Sequence, residues 1–138
     1  MVIAHRVRMT LPAGFGHCDV TSEIRDWIAA SPVRDGILSI QLVGSTGAVT
    51  TIEYESGALQ DLERAVEQLA PARGDYAHNA RWGDGNGFSH VRSALLKTGI
   101  ALPIVDGEIQ LGTWQQIVAI NFDNRERTRE LVAVVVGE

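Results

Sequence analysis

The segment Arg127–Gly137, RTRELVAVVVG, constrains the fold of this chain more than any other. It is apolar on successive residues from Leu131 to Val136, so it offers no polar face at a period of two. A strand of this kind needs cover on both faces. The 138 residues fit one domain, 1–138, large enough to bury a real core. Two or three helices in the remaining sequence can cover one side of a sheet. The other side then falls to a neighbouring subunit, and the expectation is a homo-oligomer.

The other elements follow from local pattern. Arg6–Pro12 alternates polar and apolar and predicts a first strand. In DVTSEIRDWIAAS, Thr21 or Ser22 can cap a helix, and Glu23 and Asp26 suit its positive end. Ile24, Trp27 and Ile28 form its stripe, and Ser31-Pro32 ends it. GILSIQLVG and AVTTIEYE predict two strands, joined at Gly44–Gly47 by a hairpin turn. GALQDLERAVEQLAP is the clearest helix, with Leu59, Leu62, Val66 and Leu69 on one face and Pro71 as its stop.

Ala72–Gly87 has no period of either kind, yet Tyr76, His78 and Trp82 speak against disorder. A short helix then runs from Phe88 to Lys97 and ends at Gly99 as a left-handed cap. IALPIVDGEIQLG predicts a hairpin on Asp106-Gly107, and TWQQIVAINFD pairs with the last strand through Asn124–Arg127. The class expected is α+β: one small domain with a mixed or antiparallel sheet and two or three helices.

Composition excludes several functions. A net charge of −5 argues against a nucleic-acid partner, which would call for a basic stripe. No apolar stretch approaches the roughly 18 residues of a spanning helix, and Met1–Thr10 lacks a signal-peptide core. No membrane partner and a cytoplasmic address are expected. Cys18 is the only cysteine, so there is no internal disulfide and no Cys-based zinc site.

Chemistry concentrates around the irregular stretch. His5 and His17 have no acidic or histidine partner at a ligand spacing and read as surface residues. His78 and His90 flank the loop, and two neutral imidazoles can supply two ligands to a zinc-type ion. Asp84 lies between them and Glu53 ends an earlier strand; either can complete the set or orient the rings. Trp114, Gln115 and Gln116 open a β-branched strand, where buried Gln side chains need partners across a subunit seam or in a pocket wall.

Three motifs in this order carry a resemblance. His78-Asn79, the Asp-Gly-Asn-x-x-x-His run from Asp84 to His90, and Leu-Gly-Thr-Trp-Gln from Leu111 to Gln115 resemble the YjbQ-like proteins. The resemblance extends from the strand before Thr21 to Val136 and includes the basic turn RERTRE. It implies a small α+β domain that assembles as a homotrimer around a threefold axis. It also implies a shared pocket of histidines and acidic residues that can hold a divalent metal, zinc or magnesium, on His78 and His90. Carried onto this chain, His78, His90, Glu53 and Asp84 would be catalytic. Ser45, Thr46, Asn86, Arg92, Trp114 and Gln115 would bind substrate.

Two departures stand out: Ser45 takes the place of a histidine found in many relatives, and Phe88 replaces the first of two histidines. Some members are named secondary thiamine-phosphate synthases. That name implies joining a pyrimidine pyrophosphate to a thiazole phosphate, with a cation at the departing pyrophosphate. Arg81, Arg92, Arg125 and Arg127 are the candidate cations. The expectation is an enzyme acting on a phosphorylated or anionic metabolite, or else a non-catalytic trimer that binds a metal or anion.

Overall fold

A computed structural model describes residues 1–138. Its strands are β1 (Val2–Leu11), β2 (Gly16–Asp19), β3 (Gly36–Leu42), β4 (Gly47–Glu53), β5 (Gly99–Val105), β6 (Glu108–Ile109), β7 (Gln115–Asn121) and β8 (Arg127–Gly137). Four helices accompany them: α1 (Thr21–Ala29), α2 (Ser56–Leu69), α3 (Ala77–Trp82) and α4 (Gly87–Leu96). The strands form two antiparallel sheets, a five-stranded one ordered β1-β8-β3-β5-β6 and a three-stranded one ordered β2-β7-β4. The result is a single small α+β domain, with one helix more than the sequence suggested.

The apolar run in β8 resolves into two faces. Leu131, Ala133 and Val135 are fully buried. They pack with Val7 and Leu11 of β1 and Leu38, Ile40 and Leu42 of β3 into the main core. The opposing layer is not made of helices alone, as expected, but chiefly of the second sheet, through Val49, Ile117 and Ala119. Ile24 and Ile28 of α1 close one end of it. Helices α2 and α4 lie on the far side of the second sheet, where Val66 joins Ala48, Val118, Ile120 and Phe122 in a smaller core. Leu69, expected on that face, is 70 % exposed at the last position of α2, while Val66 and the following Ala70 are buried.

The other face of β8 lies open on this chain. Val2, Val136, Ile37 and Pro103 stand in register across four strands, followed by Ala4, Val134, Ser39 and Ala101. Val2, Ile37 and Val136 are each more than half exposed.

Two expected strand pairs do not exist. The Gly44–Gly47 segment is not a hairpin turn, because β3 belongs to the large sheet and β4 to the small one. The Asn124–Arg127 turn likewise carries the chain from β7 in one sheet to β8 in the other. Both connections cross between layers at the same end of the molecule. The β5–β6 hairpin forms as expected, with Asp106 and Gly107 both at positive φ (53° and 80°), which a tight primed turn requires.

Helix boundaries shift for local reasons. Asp19, rather than Thr21 or Ser22, serves the start of α1: its Oδ1 accepts from the Thr21 backbone N–H at 2.9 Å and from the Thr21 hydroxyl at 2.6 Å. At the end of α4 the positive φ falls on Lys97 (77°), not on Gly99, which begins β5. No helix is long and apolar enough to cross a membrane.

Candidate functional site

The two sheet-crossing connections meet over a buried polar network. Thr46 and Gly47 end the β3–β4 connection, Asn121 ends β7, Asp123 follows it, and Arg127 and Arg129 begin β8. Asp123 has no exposed surface. Its Oδ2 accepts from the Thr46 hydroxyl at 3.0 Å and from Arg127 Nε at 3.0 Å, and its Oδ1 accepts from the Asn124 N–H at 2.8 Å. Burial pushes the Asp123 carboxyl up, but these donors and the Arg127 charge outweigh it and hold the group below the usual carboxylate range. Asn121 Nδ2 donates to the carbonyls of Leu11, Pro12 and Arg125, tying β1 and the β7–β8 turn to one side chain. Arg129 Nη2 donates to Thr46 Oγ1 and to Asn121 Oδ1, both at 2.6 Å.

The histidine pair sits beside this network. Residues 77–82, expected to be irregular, form helix α3, which ends on Gly83 in the left-handed region (φ 71°). The chain then turns back so that Asn79 Oδ1 accepts from the Gly87 N–H at 2.9 Å and caps α4. Gly87 cannot be replaced here, because a Cβ would lie 2.7 Å from Tyr76 Cβ and 2.9 Å from Asn79 Oδ1. This folding-back brings His78 and His90 together, with ring centroids 4.6 Å apart.

His90 Nδ1 lies 3.1 Å from the carbonyl oxygen of Ser45. A carbonyl only accepts, so Nδ1 carries the proton and Nε2 presents a lone pair. His78 Nδ1 lies 3.3 Å from Asp84 Oδ1, within ion-pair reach. The angle is poor for a hydrogen bond, and this buried nitrogen has no hydrogen-bond partner. With its amide nitrogen turned toward Asp84, Asn86 donates to both carboxylate oxygens at 3.0 and 3.2 Å. Asn124 Nδ2 donates to the Asp84 carbonyl at 2.8 Å and joins this loop to the β7–β8 turn.

The structure thus brings together His78, Asp84, Asn86, His90, Ser45 and Thr46. It separates the others. Glu53 is exposed at the opposite end of β4, where it pairs with Gln115; six residues of strand from Gly47 span about 20 Å. Trp114, 71 % exposed, is at that end too. Gln115 is satisfied within its own chain, donating to Thr51 Oγ1 and accepting from the Gly112 N–H, each at 3.0 Å. Arg92 is buried away from the histidines: Nε donates to the Ala70 carbonyl at 2.9 Å, an ion pair joins it to Glu67, and its guanidinium stacks over Phe88. It fastens α4 to the end of α2. Phe88, the residue in place of a histidine, is therefore core.

His5 and His17 are not plain surface residues. His5 lies 3.2 Å from Glu23 and stacks on Trp27, and His17 shares a 2.7 Å contact with the Tyr54 hydroxyl. Burial, followed by the charges of Asp19 and Glu23, pushes the Cys18 thiol up and keeps it protonated.

Sequence reasoning missed Asn121, Asp123 and Arg129. A signal was present, since Asn121, Asp123 and Arg129 interrupt or adjoin apolar strands, but the partner of each lies on another strand. The residues also bear on a divalent ion. Only the His90 ring is oriented through its Nδ1, as metal-ligating histidines usually are; His78 Nδ1 lies near Asp84 without a hydrogen bond. His78, Asp84 and His90 lie together, but neither they nor any other three His, Cys, Asp or Glu side chains are arranged to hold a metal ion, so one subunit does not complete a zinc set. None of the five principal clefts is lined by His78, Asp84 or His90, and both rings are part-exposed.

Comparison with known proteins agrees with the motifs. The family model described as "UPF0047 protein YjbQ-like" matches residues 5–138. A UPF0047 protein of Methanothermobacter thermautotrophicus is 36% identical over 116 residues, covering 84% of this chain and 80% of the relative. The UPF0047 protein YjbQ of Escherichia coli O157:H7 is 32% identical over 121 residues, covering 86% and 87%. Among solved structures, a YbjQ-like protein of unknown function from Sulfolobus solfataricus P2 shares the fold over 100% of both chains, with a TM-score of 0.88 at 22% identity. A hypothetical protein from Aeropyrum pernix K1 superimposes over 97% of this chain and 99% of its own with a TM-score of 0.85 at 25% identity. On the match over residues 5–138 and these relatives, the chain belongs to the UPF0047 YjbQ-like family.

Proposed function

We propose that this protein is an enzyme acting on a phosphorylated or otherwise anionic small metabolite, with His90 and His78 exchanging protons with it. The observation that carries this reading is the hydrogen bond from His90 Nδ1 to the Ser45 carbonyl, which leaves Nε2 as a fixed base beside a second imidazole. Asp84 lies within ion-pair reach of His78, Asn86 holds Asp84, and Ser45 faces the substrate with the Thr46 backbone N–H beside it. The reaction class suggested by the family's motifs is the transfer of a pyrimidinylmethyl group from pyrophosphate to a thiazole phosphate.

The protein acts in this reading as a homotrimer. Support comes from the exposed apolar rows of the large sheet, which a second and third copy would cover, and from the part exposure of His90, which lines none of the principal clefts. A catalytic pocket normally encloses its ligand, so a neighbouring subunit would supply the missing wall. The same neighbour is the natural source of any third ligand for a zinc or magnesium ion on His78 and His90.

The test compares wild type with His90→Gln for thiamine phosphate formed from the two phosphorylated precursors, with and without added zinc or magnesium, and measures mass in solution. The expected result is a trimer in both proteins and formation in the wild type alone. Equal formation in both, or none in either, overturns the catalytic reading. A monomeric wild type overturns the assembly.

A second reading is favoured by those apolar rows: a non-catalytic trimer whose histidine loop binds a metal or anion only to fix its shape. It predicts that His78→Ala or chelation lowers the melting temperature or dissociates the trimer while no reaction is lost.

A further inference from the structure

We propose that Arg129 and the Gly44–Thr46 backbone form a binding site for a phosphate or pyrophosphate group. The observation is an unbalanced buried charge. Arg129 is 6 % exposed, yet its protein partners, Thr46 and Asn121, are both neutral. The nearby carboxylate, Asp123, is taken up by Arg127 through both Nε and Nη2 at 3.0 Å. Two guanidinium groups thus share one carboxylate, and a buried cation in that position calls for an anion. Burial lowers the Arg129 pKa and the Asp123 charge only opposes that, which fits a cation short of its own counter-charge.

The surroundings say where the anion would lie. Nη2 is used twice; Nε is sealed from solvent without a partner, and Nη1 donates to no group of the chain. Nη1 points at the open side of Gly44, where a Cβ would be only 2.9 Å away. Gly44 (φ 156°) leaves that space empty. The backbone N–H groups of Gly44, Ser45 and Thr46 have no acceptor in the chain; Gly44 and Ser45 lie at the surface, where a ligand can reach them, and Thr46 is buried. Adjacent free N–H groups beside a guanidinium are donors of the kind that hold phosphate oxygens. The Ser45 carbonyl faces the other way and holds His90, so an anion on this loop sits next to the imidazole pair.

This inference deepens the catalytic reading and rests on it for the choice of phosphate, but its test needs no turnover. Inorganic phosphate and pyrophosphate are titrated into the wild type, Gly44→Ala and His90→Gln, by calorimetry and by amide-proton NMR. Saturable binding is expected in the wild type, with the Gly44, Ser45 and Thr46 amides among those that move. Gly44→Ala should weaken binding about tenfold or more, because its Cβ occupies the space before Nη1. Wild-type amides of 44–46 that stay still under both ligands overturn the site. So does undiminished binding by a folded Gly44→Ala. Should Gly44→Ala fail to fold, the wild-type amide shifts decide alone. His90→Gln should keep its phosphate affinity, so an inactive wild type that still binds phosphate removes the catalytic reading and leaves the anion site standing.

Discussion

The Asp123 network and the His78–His90 pair meet at the same segment, Gly44–Gly47, but differ in what their polar atoms have left to do. Around Asp123 the carboxylate is saturated: Thr46, Arg127 and the Asn124 N–H use both oxygens, and Asn121 spends its amide on three carbonyls. These bonds join strands of both sheets where the chain crosses between them. Beside it, His90 makes one hydrogen bond, His78 makes none through its buried nitrogen, and both rings are part-exposed. The first cluster is closed within the chain, and the second keeps donors and acceptors to spare, as the proposed function requires. Arg129 alone belongs to both, since one of its nitrogens is locked in the network and the rest are unspent.

Substitutions can break this contrast. Asp123→Asn should have the largest effect, a loss of about 3–5 kcal/mol, because it strands Arg127 and Arg129 without a counter-charge. Urea unfolding measures it, and a variant as stable as wild type would mean that the network is ornament. The same carboxyl gives a pH signature. Its folded pKa lies below the unfolded one, so its stabilisation is complete above the ordinary Asp range near pH 4. It fades as pH falls through the depressed folded value. Unfolding midpoints of Asp123→Asn should therefore fall less steeply than wild type below about pH 4. A slope remains, since Glu130 is held low by Arg8 and Arg6 in both proteins.

Smaller effects sharpen the boundary between the clusters. Ser93 Oγ donates to the Gly47 carbonyl at 2.5 Å and fastens α4 to the crossing loop in a buried position. Ser93→Ala should cost about 1–3 kcal/mol and, by loosening the loop that holds His90, reduce activity as well. His90→Gln should be the mildest for stability, within about 1 kcal/mol, while abolishing turnover. A large loss of stability in His90→Gln would place the imidazole among the structural groups.

Legibility differed between elements for reasons of range. Helix α2, the Asp106-Gly107 turn and the strands at β3, β4, β7 and β8 were readable because each depends on neighbours within a few residues. The motif from Asp84 to His90 was readable as a loop entering a helix, and it does bring His90 to His78. Helix α3 was not, since its six residues bury no apolar side chain and so carry no period. The pairing of β3 with β4 and of β7 with β8 was misread because short turn-prone connections look the same whether the chain turns back or crosses to another layer. Glu53 was placed in the site for a related reason: strand membership says nothing about which end of a strand a ligand approaches.

By itself the sequence determined the local conformations, the family and the identity of the histidine pair, because periodicity, turn chemistry and motif order are written in adjacent residues. The tertiary structure alone decided that the two connections cross between sheets, that Asn121, Asp123, Arg127 and Arg129 converge beneath them, and that Arg129 lacks a charged partner of its own. Those facts depend on the burial of each charge and on which distant groups share its cavity. Burial arises only when the layers close, and no spacing along the chain encodes it.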